Sequence, residues 1–187
     1  MSTGDDSGIL NIQTNEVTAI SIDASQNLSF TKGFTVGSTA FPTFSAYQST
    51  QQSTLTGGVD TLVVFQTEEW DTGGCFNNTA STVTLNGVSA PQYSFAPNVA
   101  GYYQVSGRCA VASSVAYMII KIFKNGSSYK RFSDTNTATV TAVNGSVLIY
   151  FNGTSDYIQL YCQQGGNQQL VNNSQCTYFQ AVMVRSA

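Results

Sequence analysis

The residues best placed to do chemistry lie between positions 60 and 71, where Asp60, Glu68, Glu69 and Asp71 form the chain's one carboxylate cluster and Trp70 stands among them. Acids at that spacing fit hard-cation ligation, with Glu68, Glu69 and Asp71 as calcium candidates, or the paired acids of a glycosidase. An indole beside them is a platform for a sugar ring, which makes Trp70 the candidate glycan contact. A solvated loop is the plainer reading of the same residues, and neither a bound metal nor a catalytic centre is expected there.

Elsewhere the reactive inventory is short. The chain has no histidine, which removes Ser-His-Asp and Cys-His nucleophiles, His-containing zinc sites and an imidazole base together. Cys75, Cys109, Cys162 and Cys176 contain no C-x-x-C pair, so a four-cysteine zinc site is not expected. Residues 1–8 show no basic n-region and no apolar h-region, so we expect no secretory signal, synthesis in a reducing cytoplasm and free thiols. The densest basic group, Lys121, Lys124, Lys130 and Arg131, is too sparse to neutralise a run of phosphates, and nucleic acid is not an expected partner. No apolar run is long enough to span a bilayer, and no cofactor is called for.

Composition points the same way. Charged residues make up 9% of the 187, far below the roughly 25% usual in soluble domains, while Ser, Thr, Asn, Gln and Gly abound. Such surfaces suit adhesive or assembled β proteins. The net charge of −3 sits wholly in the first 40 residues, where Asp5, Asp6, Glu16 and Asp23 face only Lys32; the remainder balances.

The elements that must position these residues read as strands throughout. Residues 1–43 hold short period-2 pairs, Leu10/Ile12, Ile20/Ile22, Leu28/Phe30 and Phe34/Val36, each too small to bury anything alone. This β-arm needs a docking surface or sister chains, and Pro42 closes it. Beyond it, residues 44–187 predict a head with strands at about 59–65, 81–85, 92–96, 102–111, 115–124, 128–132, 137–143, 146–151, 156–162 and 177–184, enough for two packed sheets. Four Asn-Gly pairs, at 86–87, 125–126, 144–145 and 152–153, supply positive φ for tight hairpin turns. Six Asn-x-Ser/Thr sequons, Asn77-Asn78-Thr79 among them, read as turns rather than glycan acceptors.

Strand faces carry more information. In 156–162, Ile158, Leu160 and Cys162 alternate with Tyr157, Gln159 and Tyr161, a half-buried strand. In 146–151 and 178–184 both faces are apolar: Leu148 and Tyr150 back onto Val147, Ile149 and Phe151, while Tyr178, Val182 and Val184 back onto Phe179, Ala181 and Met183. With no helix to cover a second apolar face, another subunit must do so, which predicts an obligate oligomer. Residues 116–124 are also apolar on both faces.

Two stretches resemble known proteins. Pro91-Gln-Tyr-Ser-Phe95-Ala-Pro-Asn-Val-Ala-Gly101-Tyr102-Tyr103-Gln-Val resembles the core motif of the complement globular-head family, which shares the tumour-necrosis-factor jelly roll. The likeness continues through Ile122-Phe-Lys-Asn125-Gly126, Gly145 to Tyr150, Asp156 to Leu160 and the closing Tyr178-Phe179-Gln-Ala-Val-Met183-Val, covering about residues 44–187. It implies an all-β, two-sheet jelly roll that assembles as a trimer with one sheet of each subunit at the threefold axis, and on that likeness Leu148, Tyr150, Tyr178 and Val182 are the trimer-interface candidates. Leu10-Asn-Ile-Gln-Thr-Asn15 and Ala19-Ile-Ser-Ile-Asp23-Ala-Ser-Gln-Asn27-Leu look like the segment that precedes the distal domain of many phage fibre and structural proteins.

Together these imply a non-enzymatic homotrimer on a bacteriophage particle, made in the host bacterial cytoplasm and docked by its arm onto other virion proteins. Capsid decoration or a short head fibre is the first expectation, a tail-fibre or spike tip the alternative. Self, capsid or tail proteins and host-surface carbohydrate are the expected partners.

Overall fold

In this computed structural model the described residues are 3–4, 10–14, 17–22, 25–26, 28–30 and 41–187. The chain divides into two compact units, Met1–Thr39 and Ala40–Ala187. The first is an antiparallel meander of β1 (Thr3–Gly4), β2 (Leu10–Thr14), β3 (Val17–Ile22) and β4 (Leu28–Phe30), joined in that order. Ile12 pairs with Ile20 across β2 and β3, and Ile12 is left half exposed. The expected pair Phe34/Val36 lies outside the described residues.

The second unit contains β5 (Thr43–Tyr47), β6 (Thr61–Leu62), β7 (Thr67–Asp71), β8 (Val83–Leu85), β9 (Val88–Ala90), β10 (Gly101–Lys124), β11 (Ser127–Phe151), β12 (Ile158–Gln164) and β13 (Tyr178–Ser186). No described residue is helical. Strands β6-β12-β10-β13-β5-β7 form one antiparallel network to which β11 adds through β10, and β8 and β9 make a separate hairpin.

Strand β10 belongs to two layers at once. Its first part, 101–108, pairs with β13 and with 144–151 of β11; its second, 118–124, pairs with β12 and with 127–135 of β11. Register shifts between Ala110 and Tyr117 bend the strand from one layer to the other. Bulges of this kind allow a strand to change sheets without a turn. Sequence spacing instead predicted separate strands at 102–111 and 115–124 and three more over 128–151; each group is one continuous strand. Residues 92–96 form no strand: Tyr93 has φ +50°, and Phe95 only bridges to Phe76 and Ile158.

The core lies between the layers. Phe44, Phe179, Ala181, Tyr103, Val105, Ile149 and Phe151 from one sheet meet Met118, Ile120, Ile122, Ile158, Leu160 and Cys162 from the other. Phe44 stacks on Phe76 at 4.5 Å and Phe95 at 4.6 Å, and meets Phe179 edge-on at 5.1 Å, the offset and T-shaped arrangements that ring quadrupoles favour. Alternation decides which residues enter: Phe179, Ala181 and Met183 are buried whereas Val182 and Val184 face out.

Two of the four Asn-Gly pairs turn tight hairpins and two do not: at Asn152-Gly153 only the glycine has positive φ (+73°), within the longer connection from β11 to β12. Asn125 (φ +53°) and Gly126 (φ +79°), like Asn86 and Gly87, hold the paired positive φ of a tight hairpin. Asn144-Gly145 is instead inside β11, opposite Arg108 and Gly107. A Cβ at Gly145 would collide with the carbonyl oxygen of Phe132, so this glycine serves close backbone approach rather than a turn.

A carboxylate ties two turns together. Asp156 accepts from Asn125 Nδ2 at 2.8 Å and from the Asn152 amide at 3.0 Å, and pairs with Lys124 Nζ at 2.8 Å, its side chain only 10% exposed. Burial alone would raise its pKa, but the hydrogen bonds from Asn125, Lys124 and Asn152 outweigh that and hold it below the ordinary aspartate value. Asn77 is 2% exposed and donates to the carbonyls of Ser81, Ala90 and Pro91, so this sequon is an internal clamp. All four cysteines are free thiols. A hydrogen bond with Cys162, then burial, pushes the Cys109 thiol well up.

Candidate self-association face

The outward surface of the layer β7-β5-β13-β10-β11 gathers most of the residues singled out above. Register places Val182 beside Gln104 and Gln104 beside Leu148, in one row across three strands. The next row pairs Tyr102 with Tyr150, whose rings lie 5.4 Å apart, tilted by 58°. On the other side Gln180, Ser106 and Ser146 line up, then Tyr178, Arg108 and Asn144.

These side chains are uncovered in the single chain. Leu148 and Val182 are each 49% exposed, Tyr150 42%, Tyr102 44% and Val184 61%, whereas Tyr178 is half-buried. Several large apolar groups standing together on a chain with few charges form a patch of the kind that marks an interface. Tyr102 and Val184 are additions to the sequence-derived set. Their signal was present in the Tyr102-Tyr103 doublet and in the apolar Val182-Met183-Val184 run, where each pair of neighbours must point to opposite faces.

Trp70 belongs to this same face. It is 49% exposed, its Nε1 donates to Thr43 Oγ1 at 3.3 Å, and it walls a depression of about 400 Å³ with Thr43, Gln104, Ser106, Gln180 and Val182. The lining is largely apolar, with uncharged polar rims. Arg108, at one end, keeps its Nε buried and without a hydrogen-bond partner.

The carboxylates beside Trp70 are not brought together. They sit on strand β7 rather than in the loop that their polarity suggested, because Thr67–Asp71 pairs with β5. Glu69 accepts from Ser45 Oγ at 2.7 Å. Asp71 accepts from the amides of Gly73 (3.2 Å) and Phe76 (2.8 Å), shaping the turn that follows the strand. Partial burial, and then the nearby Asp71 charge, raise the Glu68 carboxyl. Among the described residues no three His, Cys, Asp or Glu side chains are grouped to hold a metal ion. Asp60 is engaged elsewhere, with Lys121 Nζ at 2.6 Å.

The fold has close counterparts among solved structures. The crystal structure of murine APRIL at pH 5.0 is similar with a TM-score of 0.55 and 11% identity, over 78% of this chain and 100% of that one. The globular domain of zebrafish complement 1qA gives 0.52 and 16%, over 78% and 99%, and Eiger TNF from S. frugiperda gives 0.52 and 9%, over 79% and 94%. No protein-family model and no curated protein matches the chain. At these identities the likeness establishes the architecture: the chain folds as an all-β jelly roll of the kind seen in tumour-necrosis-factor and complement globular heads.

Proposed function

We propose that the chain is a non-enzymatic binding head that acts as a homotrimer. The observation that carries this is the uncovered apolar face of β13, β10 and β11, where Leu148 and Val182 share one row of the sheet with Gln104, Tyr102 and Tyr150 stand in the next, and these four side chains with Val184 are 42–61% exposed. Threefold assembly, implied by the resemblance to the complement globular-head family, buries that face around an axis and closes the association. An enzymatic reading has no histidine to draw on, and Glu69 and Asp71 are engaged in hydrogen bonds to Ser45 and to the Gly73 and Phe76 amides. Sedimentation equilibrium at micromolar concentration tests the assembly: a mass of three times 20.0 kDa is expected, and a stable monomer overturns it.

The trimer's place is the surface of a bacteriophage particle, held to other virion proteins through the N-terminal unit as capsid decoration or a short head fibre. The phage-like phrasing of residues 10–28 and the polar, weakly charged composition support this reading. A tail-fibre or spike tip is the alternative, favoured by the polar loop that follows β12, with Gly165, Gly166, Gln168 and Gln169, which suits contact with a host-surface carbohydrate. Quantifying the protein in purified virions separates the two: symmetric decoration requires on the order of hundreds of copies, a tail assembly about a dozen. Absence from virions refutes both.

A further inference from the structure

The second layer presents an outward face of a different character. In β10 the even residues Met118, Ile120 and Ile122 enter the core, so Tyr117, Ile119, Lys121 and Phe123 face away from it. Strand β12 sets Gln163 beside Ile119 and Tyr161 beside Lys121. In β11 the pairing passes from Ser133 opposite Ile120 to Arg131 opposite Lys121, so Phe132 is bulged out of register. The extra residue brings Arg131 and Asp134, three apart, onto one face, where Arg131 Nη2 lies 2.7 Å from Asp134 Oδ2. Asn136 stands opposite Tyr117. The result is a hollow of about 240 Å³ lined by Tyr117, Ile119, Arg131, Asp134, Asn136 and Gln163.

We propose that this hollow binds one ring of a neutral saccharide. Its size falls below the roughly 300–1,000 Å³ of sites for drug-sized ligands, the scale of a single ring. Its polar groups are mixed in kind: Asp134 only accepts, Arg131 only donates, and the Asn136 and Gln163 amides do both. A sugar hydroxyl also donates and accepts, so neighbouring hydroxyls match such a set, whereas an anionic ligand needs a surplus of donors. Charge selects in the same direction, because Arg131 is paired with Asp134 and Lys121 with Asp60, leaving no uncompensated charge to attract an ion.

The apolar side of the sugar is provided for too. Tyr117 and Ile119 give the hollow an aromatic wall and an aliphatic floor. The Tyr117 ring lies so close to the Gly165 backbone that a Cβ there would come within 2.7 Å of its Cδ1, which restrains the ring. Gln163 is oriented by donating to the Gly58 carbonyl at 2.7 Å. Beyond Lys121, Phe123 and Tyr161 stack at 3.8 Å, extending an aromatic strip along which a second ring can lie. This moves the glycan contact away from Trp70, which lies on the face assigned to self-association. The inference rests on reading the head as a binding module, yet all six lining residues come from one chain, so assembly and ligand binding can fail separately.

The test is a titration of the isotopically labelled full chain with the methyl glycosides of glucose, galactose, mannose and N-acetylglucosamine, read by amide chemical shifts, with sedimentation on the same samples. One ring with a few hydrogen bonds predicts a dissociation constant on the order of millimolar. Saturable shifts are expected at Tyr117, Asp134, Asn136 and Gln163 with at least one glycoside. D134A and N136A, both at exposed positions, are expected to weaken binding about tenfold or more, with thermal midpoint and sedimenting mass unchanged. The proposal is overturned if no glycoside gives saturable shifts up to about 50 mM, some tenfold above that constant. It is overturned equally if the shifts centre on Trp70, if both variants bind like the wild type, or if inorganic phosphate binds the hollow more tightly than any glycoside.

Discussion

Replacing Leu148 is the most direct way to ask whether the apolar face is an interface, because the side chain contributes to that face and to little else. Fully burying a leucine is worth roughly 1.5–3 kcal/mol. In the single chain Leu148 is 49% exposed, so covering the remainder contributes about 0.7–1.5 kcal/mol per chain on the same scale. A threefold assembly counts each position three times, so L148A should cost the trimer about 2–4 kcal/mol, roughly a 30- to 700-fold rise in its dissociation constant at 1.4 kcal/mol per decade. L148D adds the desolvation of three carboxylates near one another and should abolish assembly at micromolar concentration.

The fold of each subunit is expected to survive, since Ile149 and Phe151, which alternate with Leu148, are the residues inside the core. Sedimentation velocity over a dilution series gives the mass, and circular dichroism reports whether the strands remain. A wild-type trimer whose mass is unaffected by L148D refutes the assignment of this face. A loss of mass accompanied by unfolding is separated from interface loss by the exposed neighbour V182D, which must dissociate the trimer with the β signal intact.

Four other outcomes follow from the head's interior. Asp156 binds its proton less tightly when folded than when unfolded, so its contribution is present above the unfolded value of about 3.9 and is lost as pH falls through the lower folded value; urea unfolding between pH 7 and 2 should show D156N with a shallower acid-side decline than the wild type. D156A removes the counter-charge of Lys124, whose side chain is 15% exposed and keeps only the Tyr150 carbonyl at 2.7 Å, and should cost about 2–3 kcal/mol at pH 7. Maleimide should label Cys176 in the native protein and Cys75, Cys109 and Cys162 only after unfolding, because the last three are buried and Cys176 is partly exposed, a pattern that intact-mass spectrometry reads directly. G145A should lower stability by about 1–3 kcal/mol through collision with the Phe132 carbonyl, read by urea unfolding; unchanged stability refutes the close approach.

How much of this could be read from the sequence depended on whether the feature was local. Strand faces were largely legible because side chains alternate with period 2: Ile158, Leu160 and Cys162 are all buried as their alternation implies, although Gln159, expected on the wet face, is buried too and donates to the Gln92 carbonyl at 2.7 Å. The same rule separated Leu148 and Tyr150 from Ile149 and Phe151. What escaped was long-range backbone geometry. Nothing local distinguishes Asn144-Gly145 from Asn125-Gly126, yet one faces the Phe132 backbone and the other turns a hairpin. The long strands β10 and β11 were broken into pieces because their bends are bulges, and bulges carry no fixed composition. The hollow at Arg131 and Asp134 was hidden for the same reason: strict alternation puts residues three apart on opposite faces, and only the register shift at Phe132 unites them.

The acidic cluster beside Trp70 finds its reason in the same geometry. Strand β7 is the end of the order β6-β12-β10-β13-β5-β7, so one side of its backbone has no strand partner among the described residues of the head. Unpaired edges invite pairing with other chains, and charged side chains on the edge oppose it. Glu68, Glu69 and Asp71 place three acids on five residues there, in a chain otherwise poor in charge. If the head associates through a sheet face as proposed, it needs this protection more than most, because an exposed edge next to an apolar face would let copies add edge to edge rather than close around an axis. The carboxylates are thus better understood as limiting how copies meet than as ligands or catalysts, which places the acids and the uncovered rows of Leu148 and Val182 in one scheme of assembly.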